Sequence, residues 1–236
     1  MAIVGVLFDK DGTLIDFQGT WGPAIDAAIH ALAGGDAERV RAQAEALGFS
    51  LTNKRISDAS PLIAGSSASY GRLWGDALGR RDYETLKREI DEITAIEALK
   101  ALTPIGEPAR ALSALRGLGL RLGVATNDSE SSARRQIEAL GLSKVIEFVA
   151  GYDTGHGGKP DPGMVIAFAR HLGAEPSEVA MVGDSLHDLD AARAAGALAI
   201  AVLSGPADRA TLAPHADHVV EDIDALPGLL AEIAGR

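Results

Sequence analysis

Apolar positions along the 236-residue chain fall into two kinds of run. Ala2 to Phe8 contains no charge and ends at an acidic, glycine-containing turn, the pattern of a strand buried in a parallel sheet. Similar runs follow at Leu120 to Ala125, Val179 to Val182 and Ala197 to Leu203, with a weaker one at Val145 to Ala150 and a short edge strand at His218 to Val220. Between them, helical spacing predicts crossovers at Pro108 to Arg116, Ser129 to Leu140, Pro162 to Leu172 and Leu186 to Ala195, and Ala225 to Ala234 closes the chain. Strand alternating with helix predicts an α/β fold, a Rossmann-like doubly wound parallel sheet covered on both faces.

The stretch from Phe17 to Leu102 breaks the alternation. It shows no strand pattern and reads as helices near Pro23 to Leu32, Ala37 to Leu47, Ser67 to Leu78 and Tyr83 to Leu99, with Gly65, Ser66, Ser67 and Ser69 marking a flexible loop. About 85 residues is far beyond a normal connection. The pattern therefore divides the chain into a core of residues 1–17 and 103–236 and a helical domain, 18–102, inserted after the first strand.

Composition narrows the chemistry. With 33 acidic residues against 22 basic ones the formal charge is -11, and no basic run is present, so nucleic acid is not an expected partner. A small anionic substrate then needs a local positive site, either a metal ion or a placed lysine. The chain has no cysteine, which excludes disulfides, thiolate catalysis and cysteine-ligated metal centres. MAIVGVLFDK lacks the basic start and long apolar stretch of a signal peptide, and the longest apolar run, Ala194 to Leu203, is too short to cross a bilayer. A cytoplasmic protein without a membrane partner is expected; the pattern carries no signal for an oligomeric state.

In a doubly wound sheet, ligands bind beyond the carboxyl ends of the strands. The first strand is followed by Asp9, Lys10, Asp11, Gly12 and Thr13, the second by Thr126, Asn127 and Asp128. A breaker-rich loop, GHGGKPDP, carries Lys159, and Val179 to Val182 leads into Gly183, Asp184, Ser185, Leu186, His187 and Asp188. Asp9 and Asp11 are two apart and share a side of an extended chain. Two such carboxylates repel, and a divalent cation relieves the repulsion. An ionised Asp9 can attack phosphorus, while Asp11 protonates the leaving oxygen and later accepts a proton from water. Each feature also has a plain structural reading: a turn at Asp9 to Thr13, a helix cap at Thr126 or Asp184, a solvated surface lysine at Lys159. Asp184 suits a magnesium site, which prefers oxygen ligands and retains waters, and Asp188 is placed to orient Lys159 or a metal-bound water.

Taken together, DKDGT at Asp9, the strand-end Thr126, GKPDP around Lys159 and GDSLHD at Asp184 resemble the four motifs of the haloacid dehalogenase-type (HAD) hydrolase superfamily, in particular its phosphoglycolate phosphatase-like members. The resemblance spans nearly the whole chain. It implies Asp9 as nucleophile and Asp11 as acid/base residue. It also implies a phosphoryl group held by Thr126 and Lys159 with the Gly12 and Asn127 positions, and Mg2+ bound by Asp9, the Asp11 carbonyl and Asp184. Asp188 is the supporting residue. The inserted domain resembles the helical cap that such enzymes close over the site. Two positions depart from many relatives: Phe17, where a small residue is common, and Asp128, where Thr-Asn-Lys is common.

The implied activity is hydrolysis of a small phosphorylated metabolite through an aspartyl phosphate. Asp11 disfavours a dehalogenase or a phosphonatase, whose relatives lack an Asp there. A sugar phosphomutase of the same superfamily keeps both aspartates, but such mutases resemble one another in a histidine at the position of Trp21. A catalytically idle regulator on the same scaffold would be expected to have lost a core group, and none is missing. Lys54 and Arg55 are candidates for binding a substrate carboxylate or, equally, surface charges.

Overall fold

The computed structural model describes residues 3–63 and 65–235, so the Ala2 that opens the first expected strand lies outside it. The elements in chain order are β1 (Gly5–Phe8), α1 (Phe17–Ala33), α2 (Ala37–Ala46), β2 (Phe49–Ser50), β3 (Arg55–Ile56), α3 (Ser67–Leu78), α4 (Tyr83–Lys100) and α5 (Pro108–Gly117). They continue with β4 (Arg121–Ala125), α6 (Glu130–Ala139), β5 (Ile146–Ala150), α7 (Gly163–Leu172), β6 (Val179–Gly183), α8 (Leu186–Ala195), β7 (Leu198–Val202), α9 (Arg209–Leu212), β8 (His218–Val220) and α10 (Leu226–Ala234). The chain forms two compact units, Met1–Asp16 with Pro104–Arg236, and Phe17–Thr103. No helix among the described residues is long and apolar enough to cross a membrane.

The first unit is an α/β sandwich around a six-stranded parallel sheet in the order β5-β4-β1-β6-β7-β8. Strand order runs outward from β1 on one side and from β6 on the other, so the topological switch point, where such sheets bind ligands, lies at β1 and its neighbours. Register fixes which residues meet there. Phe8 is level with both Val124 and Val182, so the next steps of the three chains bring Asp9, Thr126 and Asp184 to one edge. The backbone bond from Asp9 N–H to the Val182 carbonyl, 2.7 Å, carries the alignment one residue past the strand.

Two glycines in this sheet make room for one ring. A Cβ at Gly5 or Gly123 would press on Phe168 of α7, which is fully buried. The bare strands let Phe168, and at Gly5 also Leu172, pack close against β1 and β4, as expected where glycine interrupts a strand. Capping fixes the helices around the sheet: Ser185 opens α8, and glycines in the left-handed region close α7 and α8 at Gly173 and Gly196.

The second unit is helical around Ile25, Ile29, Trp74, Leu86 and Ile90. Its core also holds a buried amide: Gln43 Nε2 donates to the Ile29 and Arg39 carbonyls at 3.1 and 3.0 Å, and its Oε1 accepts from Trp74 Nε1 at 2.6 Å. Three details differ from the sequence pattern. Helix α1 starts at Phe17 and runs through Pro23, because Phe17 and Trp21 pack on this core, and packing overrides the local preference of proline for a helix start. The two-residue strands β2 and β3 pair antiparallel, too short to leave a period in the sequence. The serines near Gly65 build the start of α3: Ser69 Oγ accepts from Ser66 N–H at 2.9 Å and donates to the Ser66 carbonyl at 2.7 Å.

The packing at Gly123 yields a stability test. Gly123→Ala places a Cβ 2.9 Å from one Phe168 ring carbon and 3.1 Å from Leu7 Cδ1, and overpacking of this kind costs about 1–3 kcal/mol. Denaturant melts should show that loss in the wild-type background and a smaller one when Phe168 is also changed to Leu, since the clash partner is then reduced.

Candidate active site

The four strand-end segments meet at the carboxyl edge of the sheet. Lys159, buried on the loop before α7, joins two of them: its Nζ lies 2.5 Å from Asp9 Oδ1 and 2.7 Å from Asp188 Oδ1. Asn127 holds the lysine backbone from the β4 side, with Nδ2 donating to the Lys159 carbonyl and Oδ1 accepting from Lys159 N–H, both at 2.9 Å. Both ends of the Asn127 amide thus help to place Lys159. Asp188 is fixed in turn by Ser185, whose N–H and Oγ–H both donate to Oδ2, at 3.1 and 2.7 Å. The cap of α8 therefore aims the carboxylate that aims the lysine.

Asp184 is buried and meets the hydroxyl of Thr13 at 3.3 Å. Bare backbone surrounds these acids. A Cβ at Gly12 or Gly205 would overlap the Asp184 carboxylate, and one at Gly183 would overlap that of Asp188. Gly12 also sits in the left-handed region at φ 84°, which a side chain would strain further. Ser204 Oγ donates to the Gly12 carbonyl at 2.7 Å and ties the loop after β7 to the turn after β1.

The second acid of the first motif has separate partners. Asp11 Oδ2 lies 2.7 Å from Lys10 Nζ and 3.5 Å from Thr126 Oγ1. Thr126 Oγ1 accepts from Asp128 N–H at 3.0 Å. Lys10 is fully buried and reaches Asp128 Oδ2 at 3.3 Å. All eight residues singled out from the sequence therefore reach one edge of the sheet: Asp9, Asp11, Gly12, Thr126, Asn127, Lys159, Asp184 and Asp188. The sequence reading missed Lys10, Ser185, Ser204, Gly183 and Gly205 as parts of the site. A lysine directly after an apolar strand and between two acids is the signal that marks Lys10. Lys54, by contrast, ion-pairs with Asp26 at 2.9 Å within the helical unit.

Burial dominates the electrostatics. It pushes the Asp9 carboxyl up to about 7, against the pull of Lys159 and helped by repulsion from Asp188 and Asp11. Burial raises Asp184 well above the usual carboxylate range, with Asp9 and Asp188 pushing the same way. Burial works against the Lys159 ammonium, but Asp188 and Asp9 outweigh it and the lysine is held above its ordinary value. Lys10 is raised likewise, Asp11 and Asp128 outweighing its burial. Asp9, Asp184 and Asp188 bring carboxylate oxygens within 4.8 Å of one another, the one such cluster of metal-capable side chains among the described residues. Three carboxylates this close, one lysine among them and two of them raised by burial and mutual repulsion, form a set of oxygen donors that fits a hard divalent cation.

These shifts set a pH dependence of stability. Asp9 and Asp184 bind protons more tightly folded than unfolded, so between about pH 4 and 7 the folded state holds the extra protons and loses stability as pH rises. In metal-free protein the melting temperature should fall from pH 5.5 to pH 8. Asp184→Asn should flatten that slope, since its amide has no charge to desolvate. An equal slope in the variant would contradict this reading of the cluster.

Comparison with known proteins agrees with the geometry. The chain is 35% identical over 232 residues to the phosphoglycolate phosphatase of Chromobacterium violaceum, covering 97% of this chain and 96% of that protein. It is 29% identical over 208 residues to the phosphoglycolate phosphatase of Escherichia coli K12, covering 86% and 82%. A hydrolase from Pseudomonas syringae superposes with a TM-score of 0.72 at 24% identity over 98% of this chain and 99% of that one. CbbY from Rhodobacter sphaeroides, solved with phosphate, gives 0.69 at 21% identity over 95% and 96%. The haloacid dehalogenase-like hydrolase family matches residues 3–196, and the chain belongs to that family.

Proposed function

We propose that the protein is a magnesium-dependent phosphomonoester hydrolase acting on a small phosphorylated metabolite of the phosphoglycolate kind. The observation that carries this reading is the buried Lys159 ammonium, bonded at once to Asp9 and Asp188 and placed beside Asp184. In this reading Asp9 serves as the nucleophilic carboxylate, Lys159 as the phosphate-binding cation, and Asp9 with Asp184 as the acidic metal site. The phosphoglycolate class is taken from the names of the similar proteins and from the small, strongly anionic group such a site suits. The helical unit, 18–102, is assigned the part of a substrate-selecting cap on the family resemblance alone.

Asp9, Asp184 and the Asp11 carbonyl would hold Mg2+. When bound, the ion offsets the charge of the carboxylates and of the substrate phosphoryl group, so that Asp9 is ionised at neutral pH. In the first half-reaction an Asp9 oxygen bonds to phosphorus and the ester P–O bond breaks. Asp11 gives its proton to the departing oxygen. Lys159 and the Thr126 hydroxyl, with the backbone N–H of Asn127, hold the transferring oxygens where charge develops; the Gly12 N–H is taken by the Ile15 carbonyl at 2.8 Å, so Gly12 serves by leaving room beside the Asp184 carboxylate. In the second half-reaction water attacks the same phosphorus, Asp11 takes its proton, and the bond to Asp9 breaks to return the free carboxylate. Asp188 keeps Lys159 charged and in place through both steps.

The test is phosphate release from a panel of phosphomonoesters. Activity should disappear with chelator and return with magnesium. Asp9→Asn should lower kcat more than about a hundredfold, some 2.7 kcal/mol of barrier, with the far-UV spectrum unchanged. Hydrolysis after exhaustive chelation, or an Asp9→Asn variant above about a hundredth of wild-type rate, would contradict the reading.

A further inference from the structure

The site contains a buried lysine that the reaction above does not use. Lys10 is fully buried, and taking an ammonium out of water costs several kcal/mol unless its partners are well placed. Its partners are Asp11, at 2.7 Å, and Asp128, at 3.3 Å. We propose that Lys10 is a positioning residue for Asp11, and that Asp128 anchors Lys10, so that the pair aims the acid/base carboxyl at the leaving-group oxygen. The proposal rests on the reading of Asp11 as acid and base.

The anchor is rigid. Asp128 Oδ1 accepts from Ser129 N–H at 2.7 Å, and its own N–H donates to Thr126 Oγ1 at 3.0 Å. The Asp128 carbonyl accepts from Tyr152 N–H at 3.1 Å. Gly151 lies so close behind this turn that a Cβ there would come within 2.7 Å of the Asp128 carbonyl oxygen. The Asp128 backbone is therefore held by the segment after β5, and its carboxylate by the Ser129 N–H at the start of α6. Lys10 transmits that fixed position to Asp11. Holding Oδ2 by a charge-assisted bond sets the rotation of the whole carboxyl, and so the direction of the other oxygen. The same Oδ2 lies 3.5 Å from Thr126 Oγ1, and Thr126 is tied to Asp128 through the backbone. One residue thus registers both the acid and a phosphate-holding hydroxyl against the same turn. Asp9 has a separate cation in Lys159, so loss of Lys10 leaves the nucleophile's own ion pair in place.

A displaced general acid has a signature that a generally damaged site lacks. An alkoxide needs the proton and a nitrophenolate hardly does, and general acid catalysis supplies about a hundredfold to ten-thousandfold. Rapid-quench rates of phosphoenzyme formation should be measured with phosphoglycolate and with para-nitrophenyl phosphate for wild type, Lys10→Met, Asp128→Asn and Asp11→Asn. Lys10→Met should slow the phosphoglycolate step by about thirtyfold or more, a substantial part of the range for a general acid. The nitrophenyl step should fall no more than about threefold, and KM for both should stay within about twofold, since the phosphate-holding groups are untouched. Asp128→Asn should show the same pattern at smaller size, and it carries the test if Lys10→Met does not fold. Equal slowing of both substrates, or no slowing, in either folded variant overturns the proposal, provided Asp11→Asn itself discriminates between the leaving groups. If Asp11→Asn slows both substrates equally, the reading of Asp11 fails first, and the proposal for Lys10 falls with it.

Discussion

Everything at the carboxyl edge of this sheet depends on how buried carboxylates are kept from driving one another apart. Two lysines divide the task. Lys159 lies between Asp9 and Asp188, and Lys10 between Asp11 and Asp128. Breaking a buried pair by removing one partner leaves an uncompensated charge, at a cost of about 3–5 kcal/mol. The rest of the site is organised around holding these pairs. Ser185 fixes Asp188, Asn127 fixes the Lys159 backbone, and the turn between β4 and α6 fixes Asp128.

The sheet makes this arrangement attainable. Parallel register puts the ends of β1, β4 and β6 level, so residues distant in sequence arrive together without long side chains reaching for one another. Short acids and backbone amides then suffice, and only the two lysines span gaps. The glycines serve the same end: at 12, 183 and 205 they let backbone approach the carboxylates more closely than any side chain permits. Charge is left over. Asp184 has a hydroxyl partner in Thr13 but sits beside Asp9 and Asp188, which is why its carboxyl is raised so far and why the cluster suits a cation.

Much of this was legible in the sequence. The continuous apolar runs gave the strands, because a strand covered on both faces has no polar alternation to hide it. Strand-end acids, Thr126 and Lys159 stood out because charge after a buried strand needs a reason. Other features left no trace. Strands β2 and β3 are too short to show a period, and α1 overrides its proline through the packing of Phe17 and Trp21. Lys10 reads as one more charge in DKDGT until the structure shows it fully buried, and Asp128 reads as a departure from the usual motif until it is seen facing Lys10. Pairings across long stretches of sequence, such as Ser204 with Gly12, have no local pattern to reveal them.

The central claim is that the ion-paired Asp9 carboxylate is the group that takes the phosphoryl from substrate. Its most direct test is to quench the Asp11→Asn protein in acid during turnover of para-nitrophenyl phosphate and weigh its peptides. That variant should accumulate the covalent species, because the water that clears it has lost its base. The peptide containing Asp9 should carry the mass of one phosphoryl group, labile to hydroxylamine as an acyl phosphate is. Sustained turnover with no adduct, or an adduct on any other residue, would contradict the account.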